Sequence, residues 1–148
     1  MEFTKEKILS IWSNLFFVPP FLFAIINKDT PLVYLLCGVL LFSTIYHYIK
    51  RPGIDWWWHG GRKLSHSILL VLDTVFAVST FGYVVLTTIH KPFTPMVWFA
   101  LGVCVFGFFA YVFPNKKDIY EITHSTWHFL VGVTLTLLGI SEYISNLV

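Results

Sequence analysis

Long apolar runs separated by short polar segments divide the chain into five stretches of membrane-spanning length. A helix that crosses a bilayer needs about 20 predominantly apolar residues, and the runs of that kind are 8–26, 31–49, 65–89, 94–113 and 122–147. The first run follows Lys5 and Lys7 as a signal peptide would, but it is too long and no small-residue cleavage site follows it. The pattern therefore predicts an all-α fold, a polytopic bundle of about five transmembrane helices that forms a single domain over residues 1–148.

Prolines fall where these helices should bend, begin or stop. Pro19 and Pro20 lie inside the first run and are expected to kink it, because proline interrupts the hydrogen bonds of a helix interior. Pro31 and Pro95 lie near helix starts, where the missing N–H costs little, and Pro114 is expected to stop the fourth helix.

The composition agrees with a membrane protein. Of the 148 residues, 56% are hydrophobic and 12% are charged, and the mean hydropathy is +0.71, which is too apolar for a soluble domain of this length. The net charge of +2 gives no indication of nucleic-acid binding. Cys37 and Cys104 lie inside the second and fourth runs, where we interpret them as buried apolar fillers without a redox role.

The basic residues predict the orientation, because cytoplasmic loops are enriched in lysine and arginine. Once five spans are assigned, Lys28 and Lys91 lie on one side of the membrane and the other eight of the ten basic residues lie on the opposite side. The N-terminus is therefore predicted to be cytosolic. The long loop 50–64, also on that side, contains Trp56 to Trp58, which are typical of an aromatic belt at headgroup level, or else of a loop that recognises lipid headgroups.

Five polar residues lie inside the spans, where lipid-compatible side chains are expected. Ser43 and His47 are four apart in the second run, Asp73 is in the third, and His124 and His128 are four apart in the fifth. An ionised aspartate at the bilayer centre costs about 2.5–3.5 kcal/mol on insertion scales, and residues four apart share one helix face. All five lie towards the cytosolic ends of their helices, so they are predicted to converge in the cytosolic half of the bilayer.

The histidines of the fifth run share their face with small residues. Gly132, Thr136 and Gly139 continue that face towards the other end of the helix, and small residues let membrane helices pack closely. The two histidines are therefore predicted to point into the bundle.

Three neutral imidazoles with a carboxylate and a hydroxyl are typical of a catalytic zinc site. Three histidines bind zinc and leave one position for water, so His47, His124 and His128 are the predicted metal ligands. Asp73 can orient or deprotonate the water at the metal, and Ser43 can donate a hydrogen bond to a developing oxyanion.

Taken singly, each of these residues has a simpler interpretation. The histidine pair of the fifth run could be partly solvated at a helix end, Ser43 could bond back to its own helix, and Asp73 could pair with His66 two turns earlier. The other two histidines, His59 and His90, are predicted to be solvated.

The same motifs resemble those of the CREST superfamily, which includes alkaline ceramidases, progestin and adipoQ receptors, post-GPI-attachment phospholipases and myomaker. The matching features are Ser-x-x-x-His at 43–47, the aspartate of the third span and His-x-x-x-His at 124–128. The resemblance implies a zinc ion held by the three histidines, with Asp73 and Ser43 beside its water, and hydrolysis of a lipid amide or ester. The segment "STIYHYIKRPG" looks slightly more similar to the phospholipase and myomaker branch.

This chain departs from that superfamily in length. The family normally has seven spans, whereas about 50 residues separate Asp73 from His124, which leaves room for one intervening helix where the family has three. Losing two helices keeps the last span on the same side of the membrane, so the metal site is retained. The chain is therefore interpreted as a shortened form of this family. The two missing helices would have formed part of the lipid pocket.

Three functions fit these observations. The first is a zinc-dependent intramembrane hydrolase whose substrate is a membrane lipid. The alternative is a non-catalytic membrane receptor or structural protein in which zinc staples helices together. A third is a b-type haem protein with His47 opposite His124 or His128, which would leave Asp73 and Ser43 unexplained. The sequence does not determine the lipid or the oligomeric state.

Overall fold

The computed structural model describes residues 5–49, 64–89, 94–112 and 117–147, and throughout these ranges the only regular structure is helical. Its elements are α1 (Lys5–Ser13), a 3₁₀ segment (Asn14–Phe17), α2 (Val18–Ile26), α3 (Thr30–Ile49), α4 (Leu64–Thr88), α5 (Pro95–Val112) and α6 (Lys117–Ser145). The stretches long and apolar enough to cross a bilayer are Ile8–Ile26, Thr30–Ile49, Ser67–Thr88 and Ile122–Ser145, and Pro95–Phe106 is a shorter apolar helix. The prediction of an all-α, multi-pass bundle is confirmed.

The first span is not one continuous α-helix. Between α1 and α2 the chain forms a 3₁₀ turn, and Pro19 and Pro20 lie in the first turn of α2. Proline has no N–H, so Pro20 cannot donate the α-helical hydrogen bond to the carbonyl of Phe16. The predicted irregularity therefore occurs at the prolines and in the turn that precedes them.

Small residues let α6 pack closely against the first span, as predicted. A methyl group added at Gly132 would collide with the carbonyl oxygen of Phe16, and one at Gly139 would lie 2.7 Å from Cβ of Phe23. The side-chain amide of Asn27 also donates to the carbonyl of Gly139 at 2.9 Å. The glycines therefore allow the backbones of the two spans to approach.

The first span is the centre of the arrangement. Its segments contact both α3 and α6, while α4 packs on α3 and α5 packs on α6. A cluster of buried apolar side chains joins α3, α6 and the first span: Phe17, Ala24, Leu36, Val39 and Leu135. His128 lies beside this cluster, with its ring centroid 5.4 Å from that of Phe17.

Helices α3 and α4 are antiparallel, and their register is defined by two contacts. The ring of Phe76 stacks on Phe42 with centroids 5.2 Å apart, and the hydroxyl of Tyr83 donates to Oδ1 of Asp29 at 2.6 Å. The C-terminal part of α4 therefore packs against the N-terminal end of α3. This register brings Asp73, one turn before Phe76, to the level of Ser43.

The sequence interpretation of the cysteines was wrong for one residue. Cys37 is exposed on the surface of the bundle, and Cys104 is partly buried. A thiol is apolar enough to face lipid, so burial within the protein is not required.

Several predictions fall outside the described residues. They concern residues 50–63 of the tryptophan-containing loop, with His59, and also His90, Pro114 and the side chain of His66. The cytosolic orientation of the N-terminus and of the histidine end of the bundle stays a prediction.

Candidate metal centre

Three histidines from two helices meet at one end of the bundle. His47 is in the last turn of α3, and His124 and His128 occupy successive turns of α6. All three are buried, with exposed fractions of 0%, 8% and 5% respectively. One nitrogen from each ring can be chosen so that all three lie within 4.8 Å of one another. The predicted ligand set is therefore brought together.

The rings form a compact triangle. Their centroids are separated by 4.7 Å for His47 and His124, 5.5 Å for His47 and His128, and 4.4 Å for His124 and His128. The spacing of the α6 pair follows from the helix, because residues four apart lie one above the other on the same face. The position of His47 depends on packing, because it reaches the pair from another helix.

The shortest distance between ring nitrogens of His47 and His124 is compatible with both residues binding one metal ion. Nε2 of His47 and Nε2 of His124 are 2.9 Å apart. Two ligands at 2.0–2.1 Å in a tetrahedral site would be about 3.3 Å apart, so a small separation of the rings accommodates an ion. The site fits a metal through its donor chemistry, since neutral imidazoles suit zinc as well as copper, nickel and iron.

The same distance does not fit the haem alternative in the form that pairs His47 with His124. Two axial histidines bind opposite faces of the iron, and the macrocycle must lie between their rings. With nitrogens 2.9 Å apart, His47 and His124 leave no space for it.

Ser43 lies one turn before His47 on the same helix face, and its side chain is only 1% exposed. Its hydroxyl oxygen has no hydrogen-bond partner among the described residues. The helix hydroxyls of Thr74, Thr80 and Thr136, in contrast, donate to the carbonyl four residues earlier. The simpler interpretation, that Ser43 bonds back to its own helix, is wrong.

Asp73 is partly buried on α4. It shares a helix face with Phe76, whose ring packs against α3, and the helix register brings it to the level of Ser43. The group of possible metal ligands found among the described residues contains the three histidines and not this carboxylate. Its predicted role at a water molecule, rather than at the ion, stays a prediction.

A further residue at this centre, Ser13, was missed by sequence reasoning. Its Oγ lies 2.9 Å from Nδ1 of His128. The available signal was a polar stripe in an otherwise apolar span, formed by Ser10, Ser13 and Asn14 at positions i, i+3 and i+4. Their exposed fractions are 0%, 3% and 2%, so this stripe faces the interior of the bundle.

A cavity of about 270 Å³ lies towards the other end of the bundle. Its lining runs from Pro20 and Leu135 to Glu142 and Asn146, and it includes none of the histidines, Ser43 or Asp73. This cavity is therefore separate from the three histidines.

Comparison with known proteins finds no matching family model, no matching curated protein and no matching solved structure. The resemblance to the CREST superfamily therefore rests on Ser43, His47, Asp73, His124 and His128, and it stays a prediction.

Proposed function

We propose that this protein is a zinc-dependent intramembrane hydrolase that cleaves an amide or ester bond of a membrane lipid. The observation that carries the proposal is the buried set of three imidazoles with the buried hydroxyl of Ser43 one turn away, which has no hydrogen-bond partner among the described residues. A structural staple needs only the histidines. A buried hydroxyl left without a partner costs about 1–3 kcal/mol, which favours a site built to bind a further ligand.

In this proposal each of the five polar residues has a specific role. His47, His124 and His128 would hold the ion, and a zinc ion with three histidine ligands supplies Lewis acidity and lowers the pKa of water. Asp73, at the level of Ser43, would accept the proton of the attacking water on a carboxylate oxygen. The hydroxyl of Ser43 would donate a hydrogen bond to the oxygen that becomes negatively charged.

A lipid substrate is supported by where the site lies. The three histidines belong to helices long and apolar enough to cross a bilayer, Thr30–Ile49 and Ile122–Ser145. Polar groups within such helices face the bundle interior and mark functional sites. A molecule that reaches them from the membrane must itself be compatible with lipid.

The first experiment measures the metal. We expect the purified protein to contain about one equivalent of zinc, and His47→Ala, His124→Ala and His128→Ala each to lose most of it, because two imidazoles hold the ion poorly. Metal analysis of the four preparations checks this. Full zinc content in all three variants would refute the assignment of these histidines as zinc ligands.

The second experiment separates catalysis from stapling. Asp73→Asn keeps the side-chain shape and removes the base, so a hydrolase should keep its zinc but lose turnover of fluorescent ceramide or acyl lipids by about 100-fold or more. In a staple, the same change would lower the melting temperature or the zinc affinity, with no turnover to lose. Undiminished turnover in Asp73→Asn would contradict the mechanism.

A further inference from the structure

The first span carries polar side chains that the proposed hydrolase does not use. Ser10, Ser13 and Asn14 are almost fully buried, although they lie in a span whose other residues are mostly apolar. Ser13 ends α1 and precedes the 3₁₀ segment. Burial of a hydroxyl is favourable only when it is hydrogen-bonded, so the partners of Ser13 indicate its role.

Ser13 has two partners, and a hydroxyl has only one hydrogen. Its Oγ donates to the carbonyl of Ser10 at 2.8 Å and lies 2.9 Å from Nδ1 of His128. A single hydroxyl hydrogen leaves both contacts as hydrogen bonds only if it is donated to the carbonyl of Ser10 and the oxygen accepts from Nδ1 of His128. Nδ1 of His128 then carries the proton, and Nε2 keeps its lone pair.

We propose that Ser13 is a positioning residue that holds His128 in the Nδ1-protonated tautomer and directs Nε2 towards the other two histidines. The inference rests on the proposed metal centre, since only a ligand needs one particular nitrogen free. A neutral imidazole otherwise exchanges between two tautomers, and a proton on Nε2 would block binding.

The surroundings of the ring support this role. Phe17 contacts His128 edge to face, with centroids 5.4 Å apart, so a ring and a hydroxyl of the first span both restrain it. Gly132, one turn after His128, admits the backbone of Phe16. The close approach of the two spans is therefore what brings Ser13 within hydrogen-bonding distance.

A metal-free measurement tests the tautomer directly. In protein labelled with ¹⁵N-histidine and stripped of metal, we expect the nitrogen shifts of His128 to show protonation at Nδ1 in the wild type and a tautomer mixture in Ser13→Ala. Protonation at Nε2 in the wild type, or no change in Ser13→Ala, would overturn the proposal.

A second measurement uses zinc affinity, by competition with a chelator. Ser13→Ala should bind zinc about 10- to 100-fold more weakly, the usual effect of removing a partner of a metal-bound histidine, and its cobalt derivative should have an altered visible spectrum. Ser13→Thr keeps the hydroxyl and should restore affinity and spectrum. The control is Thr80→Val, which removes a buried hydroxyl that bonds to Phe76 of its own helix.

The outcomes separate this proposal from the metal centre itself. If the wild type binds zinc and Ser13→Ala binds it equally well, Ser13 has no positioning role and the metal centre stands. If Thr80→Val weakens zinc binding as much as Ser13→Ala does, the effect is general destabilisation and the proposal is wrong. If the wild type binds no zinc, the metal centre fails, while the nitrogen shifts still report whether Ser13 selects the tautomer.

Discussion

Replacing Gly132 with alanine tests the packing that brings the first span to the metal centre. The added methyl group would collide with the carbonyl oxygen of Phe16 and lie 2.9 Å from both its carbonyl carbon and its Cβ. Carbon atoms in contact are about 3.5–4.0 Å apart, so the two segments must separate by roughly 0.6–1 Å. Two of these three atoms belong to the backbone of Phe16, so a change of side-chain rotamer cannot relieve the clash.

The loss of folding free energy expected for Gly132→Ala lies within the range known for overpacked cores. Such substitutions destabilise by about 1–3 kcal/mol, and a clash with backbone belongs in the upper part of that range, about 2–3 kcal/mol. At about tenfold per 1.4 kcal/mol, the unfolding equilibrium constant should rise by about 30- to 150-fold. Zinc affinity should fall as well, because Ser13 moves with Phe16.

The assay is unfolding by SDS in mild detergent micelles, followed by helical circular dichroism, with zinc affinity measured on the same samples. The matched controls are Gly82→Ala and Gly102→Ala, because a methyl group at either helix position meets no described atom within 4 Å. These controls should be neutral or stabilising by up to about 1 kcal/mol, since alanine favours helix over glycine. If Gly132→Ala were as stable as Gly82→Ala, the close approach of the two spans would be refuted.

Two further predictions concern Ser43 and the orientation. Ser43→Ala should leave the melting temperature unchanged or slightly raised, because it removes a buried hydroxyl that has no hydrogen-bond partner in the described part of the chain. It should lower lipid turnover by less than Asp73→Asn does. A clear loss of stability would show that the hydroxyl is bonded in the fold. A single cysteine introduced at Lys28 should react with an impermeant reagent only from the non-cytosolic side, and labelling only from the cytosolic side would reverse the topology.

The sequence alone predicted the helices and the three histidines of the site. Apolar runs of spanning length predict helices directly, because a backbone in lipid must satisfy its own hydrogen bonds. Four-residue spacing determined that His124 and His128 share a face, since this relation exists within a single helix. Matched depth along the membrane normal added His47, and the structure confirms that the three rings meet.

Tertiary structure alone decided what surrounds those rings. Helix periodicity defines a face but not the neighbour that this face contacts, nor the rotation and register of that contact. The bond from His128 to Ser13 joins residues 115 positions apart, and no local pattern specifies such a pair. The lack of a hydrogen-bond partner for Ser43 within the described ranges and the exposure of Cys37 depend likewise on which helices pack beside α3. Burial in a bundle is a property of neighbouring elements and not of one segment.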